Sequence, residues 1–206
     1  MGNEPTRKDG GFVYLMQFTD GNRIDLTLLP VDHIDELQED SLSILLLDKD
    51  NRFKPFPSPD ESSYLPAPPT QKAYDDCCNE FLWVSPYVAK GLARGDILYA
   101  KHMLDVVLRE QLMKMLTWLF GVRTNFTQNP GKQGKHFKDV FSETLWGDIL
   151  QTYSDADIAH TWQSLLIMLT VFEHAAQEVG EVFHFSYPAK DAERVTHYLR
   201  RIHNQS

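Results

Sequence analysis

The chain has 206 residues, 42% of them hydrophobic and 12% aromatic, which excludes a disordered polypeptide and leaves room for one large core or two modest ones. Twenty Lys and Arg stand against 29 Asp and Glu, a formal charge of -9 that repels nucleic-acid phosphates and favours a cationic ligand. The two cysteines, Cys77 and Cys78, are adjacent and lack zinc-site spacing, and neither the polar start nor any later apolar run suits a signal peptide or a membrane span, so the sequence reads as cytoplasmic, with no nucleic-acid or membrane partner.

Phe12 to Phe18 is a short apolar run, followed by the turn signal Asp20-Gly21 and by Arg23 to Leu29, which predicts a hairpin. In the second strand Ile24, Leu26 and Leu28 share one face while Arg23, Asp25 and Thr27 share the other. The first strand is apolar on both faces, as in a covered sheet. Residues 31 to 41 predict a short acidic helix leading to a third strand, Ile44 to Leu47, and a turn at Asp48-Lys49-Asp50-Asn51. An exposed edge on so small a sheet favours pairing with another chain, so a homodimer or poor solubility is expected.

From Pro55 to Pro69 prolines and serines block both helix and central strand, the composition of a linker. Beyond it the pattern is helical. Thr70 is placed to cap a helix running to about Trp83, and Pro86 to open another ending near Gly95. Asp96 then starts a long helix in which Ala100, Leu104, Leu108, Leu112 and Leu116 recur every four residues, with Gly121 as its stop. A polar loop, Thr124 to Lys135, precedes a capped helix over Ser142 to Tyr153, a long one over Ile158 to Phe185 halted by Pro188, and a last one over Ala192 to Ile202. The expected architecture is α+β, a partial mixed sheet followed by a helical bundle, with domains at 1–54 and 70–206 and the linker at 55–69.

Asn22-Arg23-Ile24-Asp25-Leu26-Thr27-Leu28-Leu29-Pro30, behind an aromatic strand, resembles the last active-site strand of bacterial aminoglycoside 6-adenylyltransferases, the streptomycin-modifying enzymes. Tyr74-Asp75-Asp76-Cys77-Cys78-Asn79-Glu80-Phe81, Tyr87-Val88 and Lys90-Gly91-Leu92-Ala93-Arg94 resemble the same family's most recognisable helical stretch. Leu47 to Asp50, the Gly131-Lys132 loop, Leu145-Trp146 and Thr152-Tyr153-Ser154 follow in the family's order, so the resemblance runs from Phe12 to about Tyr198. The family's nucleotidyltransferase front half, with its Gly-Ser turn and Asp-x-Asp pair, is not found in this sequence, which therefore resembles a truncated member, inactive alone.

The resemblance implies AMP transfer from ATP to a streptomycin hydroxyl with Mg2+, and an N-terminal remnant of a nucleotidyltransferase domain joined to a helical substrate-binding domain. It makes Asp25 the third active-site carboxylate, a metal ligand or a base for the drug hydroxyl; read from the strand alone, Asp25 is one polar residue on an outer face. Asp76, Glu80 and Trp83 share a helix face, and carboxylates beside an aromatic ring suit a guanidinium group, although the same spacing describes a solvated acidic face with Trp83 turned to the core. Asp75 is a further candidate. Lys90 and Arg94, one turn apart, are assigned by the resemblance to the ATP phosphates. Gly131-Lys132-Gln133-Gly134-Lys135 lacks P-loop spacing, and His174, Glu178 and Glu181 lack a metal-site pattern. A non-catalytic aminoglycoside-binding or nucleotide-binding fragment remains the second reading.

Overall fold

The computed structural model describes residues 11–38 and 40–205. The protein is α+β and divides into two compact units, Met1–Ser63 and Tyr64–Ser206.

In the first unit, β1 (Phe12–Gln17) and β2 (Arg23–Leu28) form an antiparallel pair that sets Leu15 opposite Asp25 and Gln17 opposite Arg23. Asp20 accepts from the backbone and side-chain nitrogens of Asn22 at 3.0 and 2.9 Å, and Gly21 takes a φ of 87°, a backbone state open to glycine. A 3-10 segment, Val31–Gln38, covers most of the expected acidic helix.

Two expectations fail here. The apolar faces of β1 predicted a buried strand, yet every residue of it is exposed except half-buried Met16, and no further strand extends the sheet among the described residues. The expected third strand, Ile44 to Leu47, is irregular chain with Leu46 91% exposed. A strand needs a neighbour for its backbone bonds. The chain beside it is instead tied down at Ser41, whose hydroxyl donates to the Asp60 carbonyl at 2.6 Å while its own carbonyl accepts from Asp60 N at 3.0 Å. The turn at 48–51 does form: Asp48 accepts from Phe53 N at 2.9 Å, and Asn51 adopts a φ of 52°.

The second unit is a helical bundle around α1 (Gln71–Ala93), capped by Thr70, whose side chain accepts from Ala73 N at 3.2 Å. The helix does not stop near Trp83 and restart at Pro86; it runs through Pro86 unbroken. An interior proline costs an α-helix about 3 kcal/mol. The buried series Tyr74, Cys77, Phe81, Val88 and Leu92 on either side of it offsets that cost by holding both halves against one core.

The next helix is α2 (Ile97–His102), a π-helical turn over Met103–Leu108 and α3 (Arg109–Arg123). Its five stripe residues, Ala100 to Leu116, are fully buried. A spacing of four drifts about 40° per step around a 3.6-residue helix, and one stretch of wider turn brings the stripe back to the core. Gly121 is not the stop; α3 continues to Arg123 because Phe126 folds back over the glycine and its N–H donates to the Gly121 carbonyl at 2.7 Å.

A short helix not foreseen, α4 (Phe137–Val140), brings Phe137 and Phe141 against Phe120. Ser142 caps α5 (Glu143–Gln151) by accepting from Leu145 N at 3.2 Å. The 26-residue α6 (Ile158–Phe183) packs on α3, α5 and α1, with Phe172 stacked on Phe81 at 3.7 Å and the Ala176 carbonyl accepting from the Tyr74 hydroxyl at 2.8 Å. It ends on His184 in the left-handed region, φ 59°, ahead of Pro188. The chain then turns back into α7 (Ala189–His203), which lies along α1 and buries Ala192 and Leu199. No helix among the described residues is long and apolar enough to cross a membrane.

Candidate functional site

On α1, Asp75, Asn79, Leu82, Trp83, Pro86, Tyr87 and Lys90 recur at intervals of three and four, so they form one stripe along the helix. That stripe faces α7, and the return of the chain at His184 to Pro188 brings Asp191, Val195 and Tyr198 across from it. Between the two helices lies a groove of about 780 Å3, inside the roughly 300 to 1,000 Å3 range usual for small-molecule sites. Its walls are mostly apolar and aromatic, with carboxylates from both helices.

Trp83 stands in this groove 65% exposed, so it is not a core residue. A large ring left in solvent in a groove that also carries Asp75 and Asp191 is an available stacking surface for a flat cation. Asp75 accepts from Gln71 Nε2 at 2.8 Å and Asp191 pairs with Arg194 at 3.0 Å, each with an exposed neighbour on its own helix. Lys90 extends from the same stripe with its Nζ 5.9 Å from the centre of the Tyr87 ring. Cys78 lines the groove wall, but burial pushes its thiol up to about 12, so it is an un-ionised packing group there.

Asp76 and Glu80 occupy the same broad side of α1 but open onto a different hollow, of about 340 Å3, shared with Cys77, Gln111 and Lys114 toward α3. Asp76 is paired with Lys72 at 2.5 Å. Asn79 lines both hollows, so the three residues grouped by spacing sit on two sides of it. Arg94 is the C-terminal cap of α1, one turn beyond Lys90 and exposed.

Asp25 lies in the other unit, in mid-strand on β2. Arg23, two residues away on the same face, donates to both of its oxygens, Nε to Oδ1 at 2.8 Å and Nη2 to Oδ2 at 2.9 Å, and the pairing raises the Arg23 pKa. Among the described residues no three or more His, Cys, Asp or Glu come together as a metal site. Glu178, one of the helical acids without a metal pattern, is engaged by Arg123 at 2.7 Å.

The spacing of α1 contained the signal for one wall of the groove, since Asp75 to Lys90 is a continuous stripe. The opposite wall had no such signal: Asp191, Val195 and Tyr198 are residues of an amphipathic helix whose partner depends on where the chain turns.

Known proteins are related to this chain in sequence, and one solved structure in fold. The sequence pattern described as streptomycin adenylyltransferase matches residues 1–202. An aminoglycoside 6-adenylyltransferase of Campylobacter jejuni is 42% identical over 193 residues, 93% of this chain and 66% of that protein. One of Bacillus subtilis (strain 168) is 34% identical over 97% of this chain and 70% of its own length. The crystal structure of an aminoglycoside 6-adenyltransferase from Bacillus subtilis superposes with a TM-score of 0.62 at 32% identity, covering 98% of this chain and 75% of that one. The chain thus spans about two thirds of the length of the curated relatives it matches. With a match over almost its whole length, the chain belongs to the streptomycin adenylyltransferase family.

Proposed function

We propose that the chain acts in the transfer of AMP from ATP to a hydroxyl of a streptomycin-like aminoglycoside, an antibiotic-resistance reaction of the cytoplasm, and that the α1–α7 groove holds the drug. The observation that carries this reading is the pairing in one groove of the exposed Trp83 ring with Tyr87, Tyr198, Asp75 and Asp191. Streptomycin has two guanidinium groups on a hydroxylated ring system. Aromatic faces stack on the guanidinium planes and carboxylates accept their N–H groups, within a chain whose net charge of -9 draws cations toward it. Asp76 and Glu80, on the far side of Asn79, provide a second acidic face for the outlying part of so large a cation.

In the reaction the drug oxygen bonds to the α-phosphorus of ATP, and pyrophosphate leaves with the bonding electrons. Lys90 and Arg94 are proposed to receive the phosphates, Arg94 by a two-pronged contact. Asp25 is proposed to receive the proton of the attacking hydroxyl or to supply one oxygen ligand to Mg2+, which when bound neutralises charge on the triphosphate. One carboxylate already engaged by Arg23 does not make a magnesium site, and among the described residues Asp25 is not part of any group of three or more His, Cys, Asp or Glu. The same observation favours a second reading, in which these 206 residues bind the drug without turning it over.

Calorimetric titration with streptomycin tests the groove. Saturable binding is expected, weakened about tenfold or more by Trp83→Ala or Asp75→Asn. A folded chain that binds no streptomycin overturns the assignment. Release of pyrophosphate from ATP and streptomycin decides between the catalytic and the binding reading.

A further inference from the structure

We propose that the backbone carbonyl of Leu82, deprived of its helical donor by Pro86, is an acceptor that the α1–α7 groove presents to a cationic N–H of its ligand. The inference rests on the reading of that groove as the drug site.

In an α-helix the carbonyl of residue 82 accepts from the N–H of residue 86. Pro86 has no N–H, and its ring crowds the same carbonyl, tilting it away from the helix axis. The neighbouring hydroxyl is not a substitute for the missing donor: Ser85 Oγ donates to the Phe81 carbonyl at 2.7 Å. Leu82 and Pro86 both line the groove, as do Trp83 and Tyr87. A carbonyl tilted on this side of α1, on a residue only 6% exposed, lies on the groove wall that Trp83 and Tyr87 share, with no N–H at position 86 to satisfy it. Such an acceptor gains most from a charged N–H donor.

The proline does nothing else visible for the helix. It terminates nothing, since α1 continues to Ala93, and it opens nothing, since the cap is at Thr70. Asp75 and Asp191, the acids of the groove, each already accept from a neighbour on their own helix, Gln71 and Arg194. The Leu82 carbonyl has no N–H at position 86 to give up on binding.

The test is streptomycin calorimetry on the 206-residue chain and on Pro86→Ala and Pro86→Val, with thermal unfolding of each. Both substitutions restore an N–H at position 86, and valine keeps apolar bulk on the groove wall. The expected result is that both variants are folded and bind about tenfold more weakly than the parent. Parental affinity in both variants, or in the valine variant alone, overturns the proposal, the second case assigning Pro86 to apolar packing. The unfolding temperature establishes that each variant is folded and does not decide the proposal by itself, because replacing proline also frees the unfolded chain. A folded parent that fails to bind streptomycin is a separate outcome, read from the parent's own titration: it removes the groove assignment and this acceptor role with it.

Discussion

Arg123, at the end of α3, donates to both carboxylate oxygens of Glu178 on α6, Nε to Oε1 at 2.8 Å and Nη2 to Oε2 at 2.7 Å. The two residues are 55 positions apart, and both side chains are mostly shielded from solvent. The hydrogen bonds from Arg123, helped by His174 nearby, hold the Glu178 pKa below its ordinary value of 4.5. A carboxylate with a depressed folded pKa contributes stability that is complete above its unfolded pKa and is lost as pH falls through the folded one. Glu178→Gln should therefore lower stability by about 1 to 2 kcal/mol at pH 7, with the gap to the parent closing below about pH 4. Urea unfolding at a series of pH values measures it; a gap independent of pH contradicts the pairing.

Arg109 is buried at the start of α3, where its guanidinium lies 3.8 Å from the centre of the Tyr153 ring and donates to the Thr152 carbonyl at 2.7 Å and to the Thr152 hydroxyl. Lysine keeps the charge but has neither the flat plane for the ring nor the fork for two acceptors. Arg109→Lys should cost about 2 kcal/mol or more in equilibrium unfolding, because it leaves a desolvated cation with fewer partners.

A Cβ at Gly121 would sit 2.3 Å from Phe126 Cε1, inside the ring that closes the end of α3. Gly121→Ala should be destabilising by about 1 to 3 kcal/mol despite alanine's better helix propensity. Thermal unfolding decides which effect wins; a stabilised variant would show that the Phe126 ring moves aside freely.

Cys77 and Cys78 are buried in α1, and desolvation pushes both thiols up to about 12. Only the thiolate attacks a disulfide reagent. Both residues should resist labelling by an aromatic disulfide at pH 8 and react together on denaturation. Fast labelling of either in the native protein would mean that α1 separates from its neighbours.

Local features were legible from the residues themselves. The N-caps Thr70 and Ser142, the Asp20-Gly21 turn and the buried stripe from Ala100 to Leu116 depend on neighbours within a few positions, and each formed as its chemistry required. Pro86 and Ile44 to Leu47 misled for opposite reasons. The proline's local rule was outweighed by the core on both sides of it, and the apolar run lacked a strand to pair with among the described residues.

The sequence by itself determined the family likeness, the α+β class and the presence of acids and Trp83 on the helix after Thr70, because these are properties of order and spacing. The tertiary structure alone decided that the stripe faces Asp191 and Tyr198, that Asp76 and Glu80 open toward α3 instead, and that Trp83 stays in solvent. The first joins residues about a hundred positions apart and the second residues about 35 apart. The first follows from where α6 ends and the chain turns back, and spacing within one helix carries no information about what packs across from it.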